Sequence, residues 1–315
     1  MDFDPSFYRS CVLCPRTCRV DRSESAAGYC RSSSTARLAA AVVHRGEEPP
    51  LVTRAGSGTL FFSECTLRCA ACQNCQISQH GIGTEVDPEL LAAIMVRLEE
   101  RGASNINIVT GTHFAPSIAA AVSESRRLGM KLPIVWNSSG YERVETLEHL
   151  SGIVDIWLPD LKTLDSALSA AALHVRDYPL VARDAIRWML ERGGPRFDGE
   201  ALVSGTIVRH LVLPGRFDDT DAVLSWLSQV LPSRGLLSLM VQYLPIGGPR
   251  DYPDRSLSET EYAAVLSLLS KYGFDDGYVQ ELVEDQDWTP DFLRANPFPS
   301  THADPVWHWR DGFLV

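Results

Sequence analysis

Lysine is nearly absent from this 315-residue chain: it occurs only at 131, 162 and 271, among 29 basic residues in all. Arginine therefore carries most of the positive charge, and any lysine set among other polar residues stands out. Cysteine is absent from everything after residue 75. All of it falls at 11, 14, 18, 30, 65, 69, 72 and 75, whereas disulfides are spread more widely; in a reducing compartment, two tight groups of thiols read as metal sites. No apolar run approaches the roughly 20 residues of a membrane span, because charge, Gly or Pro interrupts each one. A cluster of Lys and Arg is also missing, and the net charge of -11 argues against a nucleic-acid surface. The amino terminus shows no basic end followed by an apolar core, so a cytoplasmic location is expected, with neither membrane nor nucleic acid as partner.

What is present divides into three stretches. Residues 1–54 are rich in Cys, Arg, Ser and Pro around one strand-like run, ARLAAAVVHRG at 36–46, and read as a small module that borrows stability from a metal. From there to 285, apolar runs alternate with amphipathic segments. The runs are GTLFFS, NINIVTG, LPIVWNSSG, VDIWLPDLK, TIVRHLVLPG and LLSLMVQYLP; DPELLAAIMVRLEERG is one of the helical segments between them. Six such repeats predict an α/β fold with a parallel sheet, closed or partly closed into a barrel. In that fold chemistry sits at the carboxyl ends of the strands, and each run here ends in polar or Gly-rich residues. Residues 286–315 read as an irregular segment packed over the barrel, whose Trp288, His302, Trp307, His308 and Trp309 either line a carbohydrate site or form a packed lid.

Cys65, Cys69 and Cys72 form Cys-x3-Cys-x2-Cys on the loop leaving the first of the six runs. Three thiolates bind three irons of a cubic 4Fe-4S cluster and leave the fourth iron open to a non-protein ligand. A zinc knot would need a fourth protein ligand, for which Cys75 is available, but the position on a strand-to-helix loop with five more repeats behind it favours iron. Cys11, Cys14, Cys18 and Cys30 make a complete four-thiolate set, Cys-x2-Cys-x3-Cys-x11-Cys, that suits zinc or a second iron–sulfur cluster equally by spacing.

The three-cysteine spacing resembles the signature of the radical S-adenosylmethionine superfamily. The ordered set CVLCPRTCRVDR, CTLRCAACQNCQISQHG, VTGTHFAP, VWNSSGYE, WLPDLK, VRHLVLPG and QYLP is most similar to relatives of pyruvate formate-lyase activating enzyme with an amino-terminal C-x-L-C-P-R-x-C segment. That resemblance implies a partial (β/α)6 barrel, a 4Fe-4S cluster on Cys65, Cys69 and Cys72, and S-adenosylmethionine at its open iron. It also implies an external electron donor such as flavodoxin or ferredoxin, and reductive cleavage of the sulfonium to a 5'-deoxyadenosyl radical. The family's Gly-Gly-Glu, which holds the methionine amino group, falls on Gly111, Thr112 and His113; the backbone contact is kept and the carboxylate is lost. Asn137, with Ser139 in the same NSSG turn, stands where an acidic residue contacts the cofactor, and Lys162 where a lysine pairs with the methionine carboxylate. Arg209 sits at a strand end where a guanidinium can clamp a carboxylate, and its neighbour His210 reads as packed. Auxiliary clusters are common in this superfamily, which favours an auxiliary 4Fe-4S cluster over zinc at Cys11, Cys14, Cys18 and Cys30.

Cys75 is left without a metal. Relatives usually carry an aromatic residue there; a thiol near the cofactor can instead donate a hydrogen atom, which a radical epimerase needs in order to return hydrogen to the opposite face of a carbon. At these motifs the chain is also similar to the radical epimerase of orthosomycin (avilamycin-type) antibiotic assembly. The expected function is therefore hydrogen abstraction from a small-molecule, sugar-containing natural product, with epimerisation through Cys75. Competing readings are an activase that abstracts hydrogen from a protein glycine and a non-enzymatic iron–sulfur scaffold.

Overall fold

A computed structural model describes residues 3, 5–249, 252–283 and 289–315; Trp288 and the boundary expected at 285–286 lie outside the described residues. The first half of the chain runs β1 (Ala36–His44), β2 (Gly56–Phe62), α1 (Cys75–Ser78), β3 (Thr84–Val86), α2 (Pro88–Glu100), β4 (Ala103–Val109), α3 (Ala115–Arg127), β5 (Ile134–Ser138), α4 (Val144–Leu150) and β6 (Ile156–Pro159). The second half adds α5 (Ser166–Leu173), α6 (Tyr178–Leu190), β7 (Arg196–Asp198), β8 (Ala201–Leu211), α7 (Phe217–Val230), β9 (Leu236–Met240), α8 (Glu259–Tyr272), β10 (Gly277–Val279), β11 (Ala303–His308) and β12 (Gly312–Phe313).

All six predicted runs are strands, and they lie side by side in parallel as β2-β4-β5-β6-β8-β9, with the short β10 added beyond β9. The path continues past β2 through antiparallel β1, β11 and β12, so the fold is α/β with one large, mainly parallel sheet. Residues 1–54 thus contribute β1 to the same sheet. The described tail, from residue 289, is irregular to residue 302 and then supplies β11, in which Pro305 falls beside a register shift against Ala41 and Val42. Pro lacks the N–H that a ladder needs and is tolerated at such a bulge.

Strand parity separates the faces. Leu60, Phe62, Ile106, Ile108, Ile134 and Trp136 pack outward against the buried sides of α2, α3 and α4. α2 forms where sequence periodicity puts Leu91, Ile94, Met95 and Leu98 on one face; Asp87 caps it by accepting from Leu90 N, and Pro88 occupies the first turn. The opposite parity of the strands, including Thr59, Asn107, Asn137 and Arg209, faces the concave side. Leu51, from the β1–β2 connection, fills the amino-terminal end of that concavity against Val135, Ile156, Leu158 and Ile207. The carboxyl end stays polar, and the site lies there.

Candidate active site

The loop leaving β2 is held by its own side chains. Ser63 Oγ donates to the Ile82 carbonyl (2.6 Å), Glu64 pairs with Arg68 (3.1 Å), Arg68 donates to the Gln79 carbonyl (3.0 Å), and Gln79 Nε2 to that of Cys69 (2.6 Å). Glu64 and Arg68 have φ of 65° and 57°. Backbone in the left-handed region costs about 1–3 kcal/mol at a non-glycine residue and persists where surrounding contacts impose it. The imposed shape buries Cys65 and half-buries Cys69 and Cys72.

Burial pushes all three thiols above their ordinary value, and Lys162 is the cationic neighbour that opposes the rise at each of them. Donors already aim at sulfur: Leu67 N–H at Cys65 Sγ (3.4 Å) and Ser78 Oγ at Cys72 Sγ (3.2 Å). A thiol so placed ionises when a metal cation compensates it, and sulfur-directed donors then stabilise the thiolate. Donor type, burial and surroundings therefore fit a cluster ligand set, although among the described residues no three such side chains are posed at metal-binding distances.

The ends of β5, β6 and β8 supply a connected charge network. Lys162 Nζ donates to Asp160 Oδ2 (2.6 Å), Arg209 Nε to Asp160 Oδ1 (2.8 Å), and Arg209 Nη2 to Asn137 Oδ1 (2.5 Å). From the β1–β2 connection, Glu47 comes within 3.6 Å of Arg209 Nη1. Burial works against both cations, yet Asp160 holds Lys162 and Arg209 above their ordinary values. The Tyr178 hydroxyl accepts from Lys162 N (2.8 Å) and lies 2.8 and 2.9 Å from the carbonyls of Ser139 and Asp160, fastening β5 to β6. Gly140, at φ 75°, permits this approach, since a Cβ there would collide with the Asp160 carbonyl. Asn137, Lys162 and Arg209 are thus brought together, linked through Asp160. His210 is packed, between the Leu161 carbonyl (2.8 Å) and Thr220 (3.1 Å).

Gly111, Thr112 and His113 follow β4, but their side chains turn into the protein. A Cβ on Gly111 would lie 2.6 Å from Ile108 Cγ2 and 2.7 Å from Ile118 Cδ1. Thr112 Oγ1 donates to Glu142 (2.6 Å), and His113 Nε2 meets the Ser63 carbonyl (2.9 Å) with burial depressing its pKa to about 3. All three residues are buried. Glu142 is buried, and burial pushes its pKa up to about 7, against the opposing pull of its side-chain neighbours Thr112, Trp136 and Ser138. The folded state then keeps a proton that the unfolded chain has already lost between about pH 4.5 and 7, so stability falls as pH rises through that window, by about 1.4 kcal/mol per unit. Glu142→Gln is expected to flatten this slope in urea unfolding measured at pH 5 and pH 8.

Cys75 opens α1, its N–H bonded to the Cys72 carbonyl (3.1 Å); its half-buried thiol is an electrostatic neighbour of Cys72. Cys11, Cys14, Cys18 and Cys30 line a single pocket that Thr66 and His113 also reach. Arg22, buried in its wall, donates to Cys11 Sγ (3.4 Å), and burial pushes the Cys14 thiol up to about 12. Four thiols around one pocket fit zinc or a 4Fe-4S cluster.

Of the tail aromatics, Trp307, His308 and Trp309 pack rather than line an open face. Trp307 and His308 are buried, while His308 Nε2 and Trp309 Nε1 both meet the Phe292 carbonyl (3.2 and 2.9 Å). Phe292 in turn packs on Phe61, and Gln76 binds both Asp291 (3.1 Å) and Phe292 N (2.7 Å). Sequence reasoning missed Asp160, Tyr178, Glu47 and Glu142. For Asp160 the signal was present: an acid two residues before an isolated lysine at a strand end.

Residues 53–165 match the family model of a 4Fe-4S single cluster domain. That span runs from just before β2 to just past Lys162. An uncharacterized protein of Methanocaldococcus jannaschii is 28% identical over 281 residues, covering 86% of this chain and 77% of its own. Among solved structures, Streptococcus suis SuiB bound to S-adenosylmethionine matches at 13% identity and TM-score 0.46, covering 70% of this chain and 46% of SuiB. A radical SAM methyltransferase from Sphaerobacter thermophilus matches at 16% identity and TM-score 0.49, covering 71% of this chain and 66% of the other. The chain therefore spans less than half the length of SuiB.

Proposed function

We propose that this chain is a radical S-adenosylmethionine enzyme acting on a small, sugar-containing natural product. The observation that carries the reading is the convergence of three thiols from the β2 loop on one lysine from the β6 end, at the carboxyl edge of a parallel sheet. A 4Fe-4S cluster on Cys65, Cys69 and Cys72, with S-adenosylmethionine, would supply the electron and the 5'-deoxyadenosyl radical that removes a substrate hydrogen. Lys162, whose side chain is 31% exposed, is the part of the charge network that an incoming carboxylate reaches. Asp160 stays paired with Arg209 when Lys162 changes partner, so no buried charge is left alone. Arg209 fixes the Asn137 amide by its oxygen, leaving Nδ2 to donate toward the mouth. The pocket of Cys11, Cys14, Cys18 and Cys30 holds an auxiliary cluster or zinc.

Cys75 returns hydrogen in this reading. Its S–H passes a hydrogen atom to the substrate carbon on the face opposite to abstraction, which inverts the centre. The sulfur is then one electron and one proton short, and the external electron donor and solvent restore them.

The test is anaerobic turnover in heavy water with S-adenosylmethionine, an added reductant and glycosylated antibiotics, comparing the native protein with Cys75→Ala by mass spectrometry. The native protein is expected to form deoxyadenosine and to place one solvent deuterium at the inverted carbon. Cys75→Ala is expected to keep forming deoxyadenosine and to give no inverted product. Normal inversion by Cys75→Ala would remove the thiol from the mechanism, and deoxyadenosine with no small-molecule product from either protein would move the activase reading ahead.

A further inference from the structure

Thr66 and Leu67 share one peptide unit, with the carbonyl on Thr66 and the N–H on Leu67. The N–H donates to Cys65 Sγ (3.4 Å), and the carbonyl accepts from Arg16 Nε (3.0 Å). A charged donor on an amide oxygen polarises the amide, and its N–H becomes a stronger donor in turn. Arg16 is held for this contact: its Cζ lies 3.5 Å over the Tyr29 ring, and its Nη1 and Nη2 reach the carbonyls of His174 (3.2 Å) and Leu173 (3.5 Å). Tyr29 OH donates to the next carbonyl, that of Leu67 (3.0 Å). Both residues belong to the four-thiol module, Arg16 lying between Cys14 and Cys18 and Tyr29 preceding Cys30, and Arg16 lines the same pocket as those thiols.

Hydrogen bonds to cluster sulfurs tune the reduction potential, because they offset the charge gained on reduction. We infer that Arg16 is a positioning residue that raises the reduction potential of the cluster on Cys65, Cys69 and Cys72 through the peptide unit between Thr66 and Leu67. The four-thiol module thereby sets how readily the three-thiol site takes an electron. This rests on the proposed reading of the three cysteines as cluster ligands.

The experiment is a potentiometric titration of the full-length, iron- and sulfide-reconstituted protein, following the paramagnetic signal that changes on adding S-adenosylmethionine. Arg16→Gln is expected to lower the reduced-to-oxidised ratio at fixed potential about tenfold, which is 59 mV for one electron. Arg16→Lys, which keeps a charged donor, is expected to recover at least half of that, and Tyr29→Phe to shift the midpoint the same way by less. Arg143→Gln is the control for a loosened module: Arg143 donates to the Val12 carbonyl (2.8 Å) without touching the 66–67 peptide, and its midpoint is expected to stay at the native value. Equal midpoints in native, Arg16→Gln and Tyr29→Phe proteins would overturn the inference, as would an equal shift in Arg143→Gln. If native protein binds no more iron than the variant with alanine at 65, 69 and 72, the reading of the three-thiol site fails instead.

Discussion

Alanine at Cys65, Cys69 or Cys72 is expected to reduce cleavage of S-adenosylmethionine to the protein-free level, with loss of the iron and sulfide belonging to that site. The reason is local. The loop is held by Glu64, Arg68 and Gln79 in one shape, with two residues in left-handed backbone. A fixed loop cannot slide a substitute ligand into place. The nearest spare thiol, Cys75, begins a helix and is tied by its N–H to the Cys72 carbonyl. Iron and sulfide analysis with chromatographic detection of deoxyadenosine checks the prediction, and cleavage at even a tenth of the native rate would show that the cluster is held elsewhere. Cys75→Ala is the contrasting case, because it is expected to leave metal content and cleavage in place.

Asp160→Ala is expected to destabilise the protein by about 3–5 kcal/mol, the range seen when one partner of a buried ion pair is removed. Asp160 is the shared anion between Lys162 and Arg209, and its side chain is 16% exposed. Its removal leaves the Arg209 guanidinium, 14% exposed, with the carboxyl groups of Glu47, at 3.6 Å, and Glu48 as its acidic neighbours. Burial pushes the Asp160 carboxyl up, but Arg209 and Lys162 outweigh it and hold the group below its ordinary value. Its contribution is therefore complete above the unfolded-chain carboxyl pKa and is lost as pH falls through the lower folded value. Urea unfolding near pH 7 and near pH 3 is expected to show the native protein losing this stability on acidification while Asp160→Asn changes less. A loss below about 1 kcal/mol in Asp160→Ala would mean that solvent at the mouth screens the pair as it does at a surface.

The strands were legible because each is a compact apolar run closed by polar or glycine residues, and parity alone assigns Leu60 or Trp136 outward and Asn137 inward. The cysteines and Lys162 were legible because their chemistry is rare in this composition, and Arg209 because it stands at the end of a strand-like run. Interactions that join distant segments were not. Neither Arg16 on the Thr66 carbonyl nor Glu47 beside Arg209 has any periodic signature, since both depend on how far a connection reaches across the sheet. Thr112 shows the opposite difficulty. Its place in the motif predicts contact with a cofactor, but the tight packing at Gly111 turns its hydroxyl toward Glu142. The strand β11 was hidden by Pro305, which suits a bulge and is disfavoured in a regular ladder.

β1 lies between β2, its neighbour in sequence, and β11, which comes from the far end of the chain. All eight cysteines are made before residue 76, whereas β11 begins at Ala303. During synthesis the thiols leave the ribosome long before the strand that covers the outer flank of β1 exists. Pairings between such distant segments form late and slowly. The thiol-bearing part of the molecule thus waits, as a nascent chain, on residues 303–308 to be framed.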